Sequence, residues 1–339
     1  MMTDQPPSKP AVLVTGASGF VGLALCRALA ERGYVVLGAV RSIASVAHQQ
    51  IAGVQWIEVG DLASHPDWSA CLAQLMSTDA QTHCVVHCAA RAHVMHEIET
   101  DVLSAYRAVN VTATEALARQ AASAGVNRLL FLSSIKVNGE RTADGQLFHH
   151  DDPAKPEDPY GLTKLEAEQV LWSIARQTSL EVTVVRAPLV YGAHVKGNLA
   201  RLLALVSRGL PLPVASIKNH RSMVGLTNLV DLLICCTNHP RAQGQTFLVC
   251  DDQSLSTPQL VSHLAHALGV KSRLFSMPIW LLRLAARVLG KQAEVARLTD
   301  SLVVDGQHAQ NVLGWKPPVS TADEIKVMVA AYQAQVDRR

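Results

Sequence analysis

The stretch AVLVTGASGFVGLALCRALAERG, residues 11–33, decides the fold. It opens with a short β-branched run, turns through Gly16, Gly19 and Gly22, and continues with apolar residues at helical spacing until Gly33. This pattern predicts a strand, a tight turn and a helix. Glycines at these positions let the backbone turn sharply and approach a pyrophosphate, whose charge then meets the helix N-terminus. We therefore expect a dinucleotide to bind here, while tight packing of strand on helix is the alternative explanation for the glycines.

The same alternation of strand-like and helix-like segments continues along most of the chain. Short apolar runs alternate with segments long enough for helices, such as the amphipathic residues 105–124. The further predicted strands are YVVLGAV, VQWIEVGD, HCVVHCAA, NRLLFLSS, EVTVVRA and QTFLVCD. Near-continuous apolar strands of this kind are typical of a parallel sheet that helices cover on both faces. The predicted fold class is α/β, with a doubly wound parallel sheet of the Rossmann type.

The pattern changes after residue 190, where the helices become longer, the loops irregular and the prolines paired. We assign residues 1–190 to a nucleotide-binding domain to which residues 222–252 return. Residues 191–221 and 253–339 are assigned to a smaller C-terminal lobe that binds substrate. Because no low-complexity linker separates the two parts, we expect them to pack tightly, with a cleft at the carboxyl ends of the strands.

Composition argues against several classes of protein. The 30 basic residues nearly balance the 28 acidic ones, so the chain lacks the positive footprint of a nucleic-acid-binding protein. The N-terminus lacks the basic flank and apolar run of a signal peptide, and no stretch approaches the roughly 18 uncharged apolar residues of a membrane span. We therefore expect a cytoplasmic protein.

Cysteine and histidine usage suggests burial and not metal binding. Seven cysteines lie mostly within apolar runs, which is typical of buried thiols and not of a disulfide framework. The stretch HCVVHC, residues 83–88, has residue types that bind zinc, but an apolar strand sends His83 and Cys84 to opposite faces. We expect no metal site.

The end of the second predicted strand bears on the choice of dinucleotide. NAD-binding sheets of this type carry an acid there that binds the adenosine ribose, whereas this strand ends in Arg41. A guanidinium suits a 2′-phosphate through paired charge-assisted hydrogen bonds, which favours NADP(H), with NAD(H) as the alternative. A solvated surface arginine would also account for Arg41. Asp61, after the third strand, is expected near the adenine.

The stretch DPYGLTKLEAE, residues 158–168, places Tyr160 and Lys164 on one face of a helix. Moving a phenol pKa from about 10 toward 7 takes about 4 kcal/mol, which an ammonium and a nicotinamide cation could supply together. Such a phenol can give or take a proton beside a carbonyl or an alcohol. Ser133 and Ser134 end the fifth predicted strand, where a hydroxyl can hold the reacting oxygen. Taken singly, these residues also fit an ordinary helix start and a polar strand end.

With these residues assembled, the chain resembles the extended short-chain dehydrogenase/reductase family, in its nucleotide-sugar epimerase, dehydratase and ketoreductase branch. The motifs that carry the resemblance are TGASGFVG, HCAA, NVTAT, SSIKVNG, YGLTK, VRAPLVYG, GNLARLL, RSMVGLTNLVDL and LGWKP. They occur in the expected order over most of the chain. Within this branch the chain looks most like the bacterial UDP-N-acetylquinovosamine 4-dehydrogenase group, which reduces a UDP-4-keto-6-deoxy sugar in surface-polysaccharide synthesis.

The resemblance implies roles for individual residues. Ser134 matches the family's catalytic hydroxyl, Tyr160 its acid/base, and Lys164 the partner that holds the ribose and tunes the tyrosine. The implied cofactor-binding residues are Gly16, Ser18, Gly19, Phe20, Val21, Gly22, Arg41, Asp61, Leu62, Ala89, Ala90, Asn110, Tyr160, Lys164 and Pro188. The implied substrate contacts are Ser134, Tyr160, Asn198, Arg221 and Arg297, the last of them together with Asp300.

Two departures from the family pattern bear on the reaction. Dehydratases have Asp-Glu directly after the catalytic hydroxyl, and here Ile135 and Lys136 stand there, so dehydration is disfavoured. Asn138 replaces the tyrosine of the family's Val-Tyr-Gly, a position of substrate contact.

The leading hypothesis from the sequence is a 4-ketoreductase, in which NADPH reduces a UDP-4-keto sugar while Tyr160 gives the proton and Ser134 holds the oxygen. The alternative is a 4-epimerase for UDP-glucose or UDP-N-acetylglucosamine, which uses the same residues but retains NAD. A non-catalytic regulator that senses NADP on the same fold is a third hypothesis.

The expected partners are a UDP-sugar and a second copy of the chain, in a homodimer built on a helix bundle. No nucleic acid is expected. The stretch MPIWLLRLAARVLGK, residues 277–291, carries Arg283 and Arg287 on one face of an apolar helix. Peripheral association with an anionic membrane is one interpretation, and a cover for the substrate cleft or packing into the lobe is the other.

Overall fold

The computed structural model describes residues 9–64, 66–92 and 101–337. Its strands are β1 (Ala11–Thr15), β2 (Val35–Val40), β3 (Val54–Glu58), β4 (His83–His87), β5 (Arg128–Ser134), β6 (Glu181–Ala187), β7 (Leu189–Tyr191), β8 (Met223–Gly225) and β9 (Thr246–Leu248). Seven of them form one parallel sheet in the order β3-β2-β1-β4-β5-β6-β9, and β7 pairs with β8. The predicted doubly wound parallel sheet is confirmed. The strand order reverses between β1 and β4, which is where open parallel sheets bind ligands.

Helices cover both faces of this sheet. They are α1 (Phe20–Glu31), α2 (Ser69–Met76), α3 (Val102–Arg107), α4 (Ala113–Ala124), α5 (Pro159–Gln177), α6 (Gly197–Ser207), α7 (Leu226–Asn238), α8 (Thr257–Leu268), α9 (Ile279–Val288), α10 (Gln292–Thr299), α11 (Gln307–Leu313) and α12 (Thr321–Val336). One face buries apolar side chains of α1 and α7, and the other buries those of α2, α4 and α5. Within the described ranges, no helix is both long enough and apolar enough to cross a bilayer.

The helix predicted over residues 105–124 is divided. A π-helical turn, Ala108–Thr112, joins α3 to α4 and contains the buried Asn110. A π turn adds one residue to a helical turn and is found mostly at functional sites. The spacing of apolar residues did not predict this π turn, because one extra residue barely changes the helical pattern over a segment of this length.

The C-terminal part of the chain contributes to two places. Leu203 of α6, Leu264 of α8 and Met328 of α12 share a separate apolar core. Between these helices in sequence, α7 packs against α1, and β9 joins the main sheet beside β6. All seven cysteines are free thiols, and four of them are buried.

Candidate active site

The turn between β1 and α1 brings glycines against neighbouring backbone. Gly16 has a φ of 65°, and a Cβ there would lie 2.8 Å from the Cα of Ala89, which follows β4. A Cβ on Gly22 would lie 2.3 Å from the Gly16 carbonyl oxygen. Gly19 is the N-cap of α1, and no side chain caps that end of the helix. The turn is therefore tightly packed and also presents free N–H groups to an anion, which fits a dinucleotide pyrophosphate.

Arg41 directly follows β2, and Asp61 lies three residues after the end of β3, at the same edge of the sheet. Arg41 is exposed and forms no ion pair with any residue that the structure describes. The Glu58 carboxylate accepts a hydrogen bond from the backbone N–H of Ile43 at 2.8 Å, which holds the loop after Arg41. The Asp61 carboxylate accepts one from the Ala63 N–H at 3.0 Å. The guanidinium thus remains available to a ligand.

Ser134 and Tyr160 meet at the carboxyl end of β5. Ser134 is the last residue of this strand, Tyr160 lies in the first turn of α5, and the Ser134 hydroxyl is near enough to the phenol to lower its pKa. Burial raises the pKa of Tyr160 to about 12, with smaller increases from Asp158 and Tyr106 and an opposing effect from the Ser134 hydroxyl. At neutral pH the phenol is protonated. The lowered pKa expected from the sequence includes the charge of a bound nicotinamide, whereas in the chain itself burial is the largest effect.

Lys164, one turn further along α5, is 1% exposed. Its Nζ lies 3.8 Å from the centroid of the Phe131 ring, and no described residue accepts a hydrogen bond from it. Burial lowers its pKa to about 7, against opposing effects of Glu168 and Cys88. Buried polar groups are almost always hydrogen-bonded. An ammonium without an acceptor therefore fits a ligand hydroxyl, such as one on a cofactor ribose.

The loop that follows Ser134 holds the start of α5. Lys136 forms an ion pair with Asp158, and Asp158 caps α5 by accepting a hydrogen bond from the Gly161 N–H at 2.7 Å. A Cβ on Gly161 would lie 2.7 Å from the Lys136 carbonyl oxygen. Sequence reasoning treated Lys136 only as a departure from the dehydratases and missed this role. The sequence did contain a signal for this ion pair. A basic residue stands two positions after Ser134, and an acidic residue stands two positions before Tyr160.

A buried ion pair lies between β6 and α5, next to the end of β5. Arg186 of β6 donates to the Glu168 carboxylate of α5 at 2.7 Å, and both side chains are buried. Ser133 donates to the same carboxylate, and Arg186 also donates to the Asn138 side-chain oxygen at 3.0 Å. Ser133 therefore points away from the tyrosine, and the Asn138 side chain is engaged within the protein. An arginine inside the apolar run EVTVVRA was the only sequence signal for this pair.

Asn110 and His87 are bound by the protein itself. The Asn110 side chain accepts from the Arg91 N–H at 2.8 Å, and donates to the Arg91 carbonyl and the Thr163 hydroxyl at 3.1 Å each. It ties the chain after β4 to α5 and so positions these two elements. His87 lies between the Thr15 and Thr114 hydroxyls at 2.6 and 2.9 Å. Burial, followed by the charge of Lys164, lowers the pKa of His87 to about 3, so the ring is neutral.

Three of the five predicted substrate residues, Asn198, Arg221 and Arg297, come from the C-terminal part of the chain. Arg221 is half-buried and donates to the Asp300 carbonyl at 3.1 Å, and the nearby charge of Arg297 adds to burial in lowering the pKa of Arg221. The Asp300 carboxylate pairs with Arg283 at 3.0 Å and not with Arg297. Asn198 is exposed in the first turn of α6, and no described contact joins it to these arginines.

The remaining predicted cofactor residues occupy the same edge of the sheet. Ser18 is exposed in the glycine turn, and Phe20 and Val21 are half-buried where α1 begins. Leu62 follows β3, Ala90 follows β4, and the buried Pro188 separates β6 from β7. The carboxyl ends of adjacent strands thus carry most of the candidate site.

Comparison with known proteins places this site in a family. The model of the NAD dependent epimerase/dehydratase family matches residues 12–250. The UDP-glucose 4-epimerase of Vibrio cholerae is 43% identical over 334 residues, which cover 98% of each chain. The dTDP-4-dehydro-6-deoxyglucose reductase of Escherichia coli is 23% identical, over 96% of this chain and 99% of the reductase.

A solved structure shows the same architecture. MoeE5, in complex with UDP-glucuronic acid and NAD, is 25% identical and superposes with a TM-score of 0.74, over 96% of this chain and 99% of MoeE5. The family model covers more than half of the present chain, and the Vibrio cholerae relative is similar over nearly all of it. The chain therefore belongs to the NAD dependent epimerase/dehydratase family of enzymes.

Proposed function

We propose that this enzyme is a UDP-sugar 4-epimerase that oxidises and then reduces C4 of its substrate. The observation that carries the proposal is the position of the Ser134 hydroxyl near the Tyr160 phenol at the carboxyl end of β5, one helical turn from the buried Lys164. The 43% identical relative, named as a UDP-glucose 4-epimerase, supports 4-epimerisation as the net reaction in preference to the reduction that the sequence favoured.

When bound, a nicotinamide cofactor supplies the hydride acceptor and donor. The chain would hold its pyrophosphate at the glycine turn of residues 16–22, and its adenosine beside Arg41 and Asp61. Lys164 would donate to a ribose hydroxyl, which gives the buried ammonium the acceptor that it lacks among the described residues.

Tyr160 moves the proton in this proposal. As the C4 hydroxyl becomes a carbonyl, the phenolate oxygen takes the hydroxyl proton, and on reduction the phenol returns it to the same oxygen. Ser134 donates a hydrogen bond to that oxygen throughout. Because burial raises the pKa of the phenol to about 12, the phenolate must be stabilised by positive charge at the site, and a protonated Lys164 on the same helix face supplies part of it.

The lobe residues would bind the rest of the substrate. Arg221 and Arg297 carry adjacent positive charges that suit a diphosphate, and Asn198 offers an exposed amide at the start of α6. Ile135 and Lys136 stand where the family's dehydratases have an acid pair, and Lys136 is already paired with Asp158, so elimination of water is not part of the proposal.

A second candidate is a 4-ketoreductase for a UDP-4-keto-6-deoxy sugar of the UDP-N-acetylquinovosamine type, in surface-polysaccharide biosynthesis. Arg41 favours it, because an exposed guanidinium without an ion pair among the described residues, where NAD enzymes carry an acid, suits the 2′-phosphate of NADP(H). A cytoplasmic homodimer, divided into the nucleotide-binding domain and substrate lobe assigned from sequence, belongs to both candidates.

Two parallel assays separate the candidates. One follows interconversion of UDP-glucose with UDP-galactose, and of the N-acetyl pair, by NMR without added nucleotide. The other follows the consumption of NADPH with UDP-4-keto-6-deoxy sugars. We expect turnover in the first assay and a loss of about 10³-fold in Tyr160→Phe, as for removal of a general acid/base. Tyr34→Phe, a tyrosine outside the site, is the matched control. Turnover in the second assay alone would support the ketoreductase, and turnover in neither would refute both.

A further inference from the structure

Helix α9 turns its apolar side toward solvent. Trp280, Leu284 and Val288 recur every fourth residue and therefore share one face, to which Leu281 and Leu289 add. We call these five residues the apolar face of α9. Val288 is 80% exposed and Trp280 65% exposed, whereas large apolar side chains of an ordinary surface helix point to the core. A contiguous apolar patch of this kind marks an interaction surface.

The opposite side of the same helix is already used. Ala286 is buried, and Leu282 packs against the apolar core of the C-terminal lobe. The helix is thus attached to the lobe by one side, and turning it to bury the apolar face would expose that side. The apolar face is therefore a stable outward feature of the fold.

The surroundings of this face are strongly basic. Residues 271–297 contain six basic residues and one acidic residue, which leaves 24 basic against 27 acidic residues in the rest of the chain. The six are Lys271, Arg273, Arg283, Arg287, Lys291 and Arg297. Of these, only Arg283 forms an ion pair within the described part of the chain, with Asp300. The positive charge is therefore mostly unpaired.

A cavity lies beside the apolar face. Arg283 and Arg287, the two arginines of α9, line it together with Arg141, and its volume is about 650 Å³. Asp144 and Asp300 also line this cavity, Arg283 pairs with Asp300, and Arg141 lies 4.0 Å from Glu157. Arg287 forms no ion pair with a described residue, so its guanidinium is free to bind a phosphate group through charge-assisted hydrogen bonds.

We propose that α9 docks on an anionic phospholipid bilayer, with its apolar face in the headgroup region and Arg283 and Arg287 on lipid phosphates. The positive charge around α9 favours an anionic bilayer over a second copy of the chain as the partner, because two such basic surfaces would repel each other. The helix lies on the bilayer and does not cross it, which is the usual behaviour of an amphipathic helix with arginine beside tryptophan and leucine.

The test is co-sedimentation with sucrose-loaded vesicles of phosphatidylcholine, with or without phosphatidylglycerol. We expect binding only to the phosphatidylglycerol vesicles, and weaker binding as salt rises. Arg287→Gln should lower the partition coefficient about fivefold, and Leu284→Ser with Val288→Ser about tenfold or more. Val327→Ser, at another exposed helical valine, is the control and should bind like the unmodified protein.

Trp280 provides a second readout that needs no polar substitution of the helix. Its emission should shift to the blue on phosphatidylglycerol vesicles, and the shift should disappear in Trp280→Phe. Failure of the unmodified chain to bind these vesicles at low salt would overturn the proposal. So would equal binding by the serine variant, or a serine variant that turns a dimer into a monomer, since the face would then belong to a second copy.

Discussion

Lys164 carries a positive charge into a region that is almost closed to water. Burial lowers its pKa from 10.5 to about 7 in the folded chain. Below about pH 7 the lysine is protonated in both states, and the full cost of burying the charge lowers stability. Between about pH 7 and 10.5 the unfolded chain binds this proton and the folded chain does not, so stability rises with pH.

Replacing Lys164 with methionine should therefore stabilise the protein while abolishing turnover. We expect the free energy of unfolding at neutral pH to rise by on the order of a few kcal/mol, and the gain to shrink as the pH approaches 10. Urea unfolding across this pH range measures the effect. Lys326→Met, at an exposed lysine, should show no such pH-dependent gain. A variant that is less stable than the parent at every pH would contradict the buried-charge explanation.

Arg41 allows a test of cofactor choice. If its guanidinium binds a 2′-phosphate, Arg41→Ala should weaken binding of NADPH about tenfold or more and change binding of NADH by less than about threefold. Titration calorimetry with each nucleotide measures both affinities. Arg27→Ala removes another exposed arginine, outside the strand ends, and should change neither. Equal loss for both nucleotides, or for neither, would show that Arg41 does not select the cofactor.

At the scale of single residues, spacing on the helix predicted that Tyr160 and Lys164 share a face. Spacing alone could not show which of Ser133 and Ser134 faces the tyrosine, because both hydroxyls stand at the end of the same strand. The structure shows that Ser133 donates to the buried Glu168 carboxylate instead. The extent to which burial raises the phenol pKa in the chain alone was not predictable for a related reason. The pairing of charges is visible in a sequence, whereas the degree of burial depends on residues from several elements.

The start of α5 is the element whose placement matters most for the proposed chemistry. Gly161→Ala puts a methyl group against the Lys136 carbonyl, which is backbone and cannot easily move away. The first turn of α5 should shift, and Tyr160 with it. We expect kcat to fall about 100-fold, which is the effect of a misplacement of about 1 Å, with a smaller change in KM. Steady-state kinetics measure this, with Gln169→Ala on the exposed side of α5 as control. Unchanged kcat would show that the contact does not position Tyr160.

The buried ion pair connects α5, β5 and β6. Arg186→Met leaves the Glu168 carboxylate buried and without its cation, so we expect the free energy of unfolding to fall by about 3 to 5 kcal/mol. The exposed pair of Arg119 and Glu115 is the control, and Arg119→Met should cost about 0.5 kcal/mol or less. Denaturant unfolding compares the two. If both variants lost a similar free energy of unfolding, burial would not be what makes the Arg186–Glu168 pair important for stability.

Among the elements, the long strands and helices were predictable because their apolar periodicity is strong. The three-residue strands β7 and β8 are too short to show a period. The stripe of apolar residues on α9 was visible in the sequence, but its outward direction was not. Whether such a stripe faces the core depends on which side the lobe covers, here the side of Ala286.

At the scale of the whole molecule, the chain leaves the sheet after β6 and returns with α7 and β9. A fragment of residues 1–190 would leave the edge of β6 unpaired and the side of α1 that contacts α7 uncovered. We expect this fragment to aggregate, and a fragment of residues 1–252 to remain more soluble and to bind nucleotide. Size-exclusion chromatography and nucleotide titration compare them. A monomeric, nucleotide-binding fragment of residues 1–190 would contradict the assignment of residues 222–252 to this domain.

The parallel, doubly wound arrangement of the sheet followed from the alternation of strands and helices, because such sheets obey few topological rules. Contacts between distant parts of the chain did not. Arg128 donates to the carbonyl of Cys236, more than a hundred residues away, and a Cβ on Gly225 would lie 2.7 Å from the Glu324 side chain. No local sequence pattern predicts such contacts, because each forms only when elements that are far apart in sequence pack together.

The late arrival of β9 has a consequence for biosynthesis. A nascent chain completes β6 at Ala187 and reaches Thr246, where β9 begins, 59 residues later. At the usual rate of roughly 5 to 20 residues per second, this takes about 3 to 12 seconds on the ribosome. During that interval an apolar strand edge is open to other nascent chains. Slow codons between these two strands would lengthen the exposure, and a chaperone that covers the edge would be most useful then.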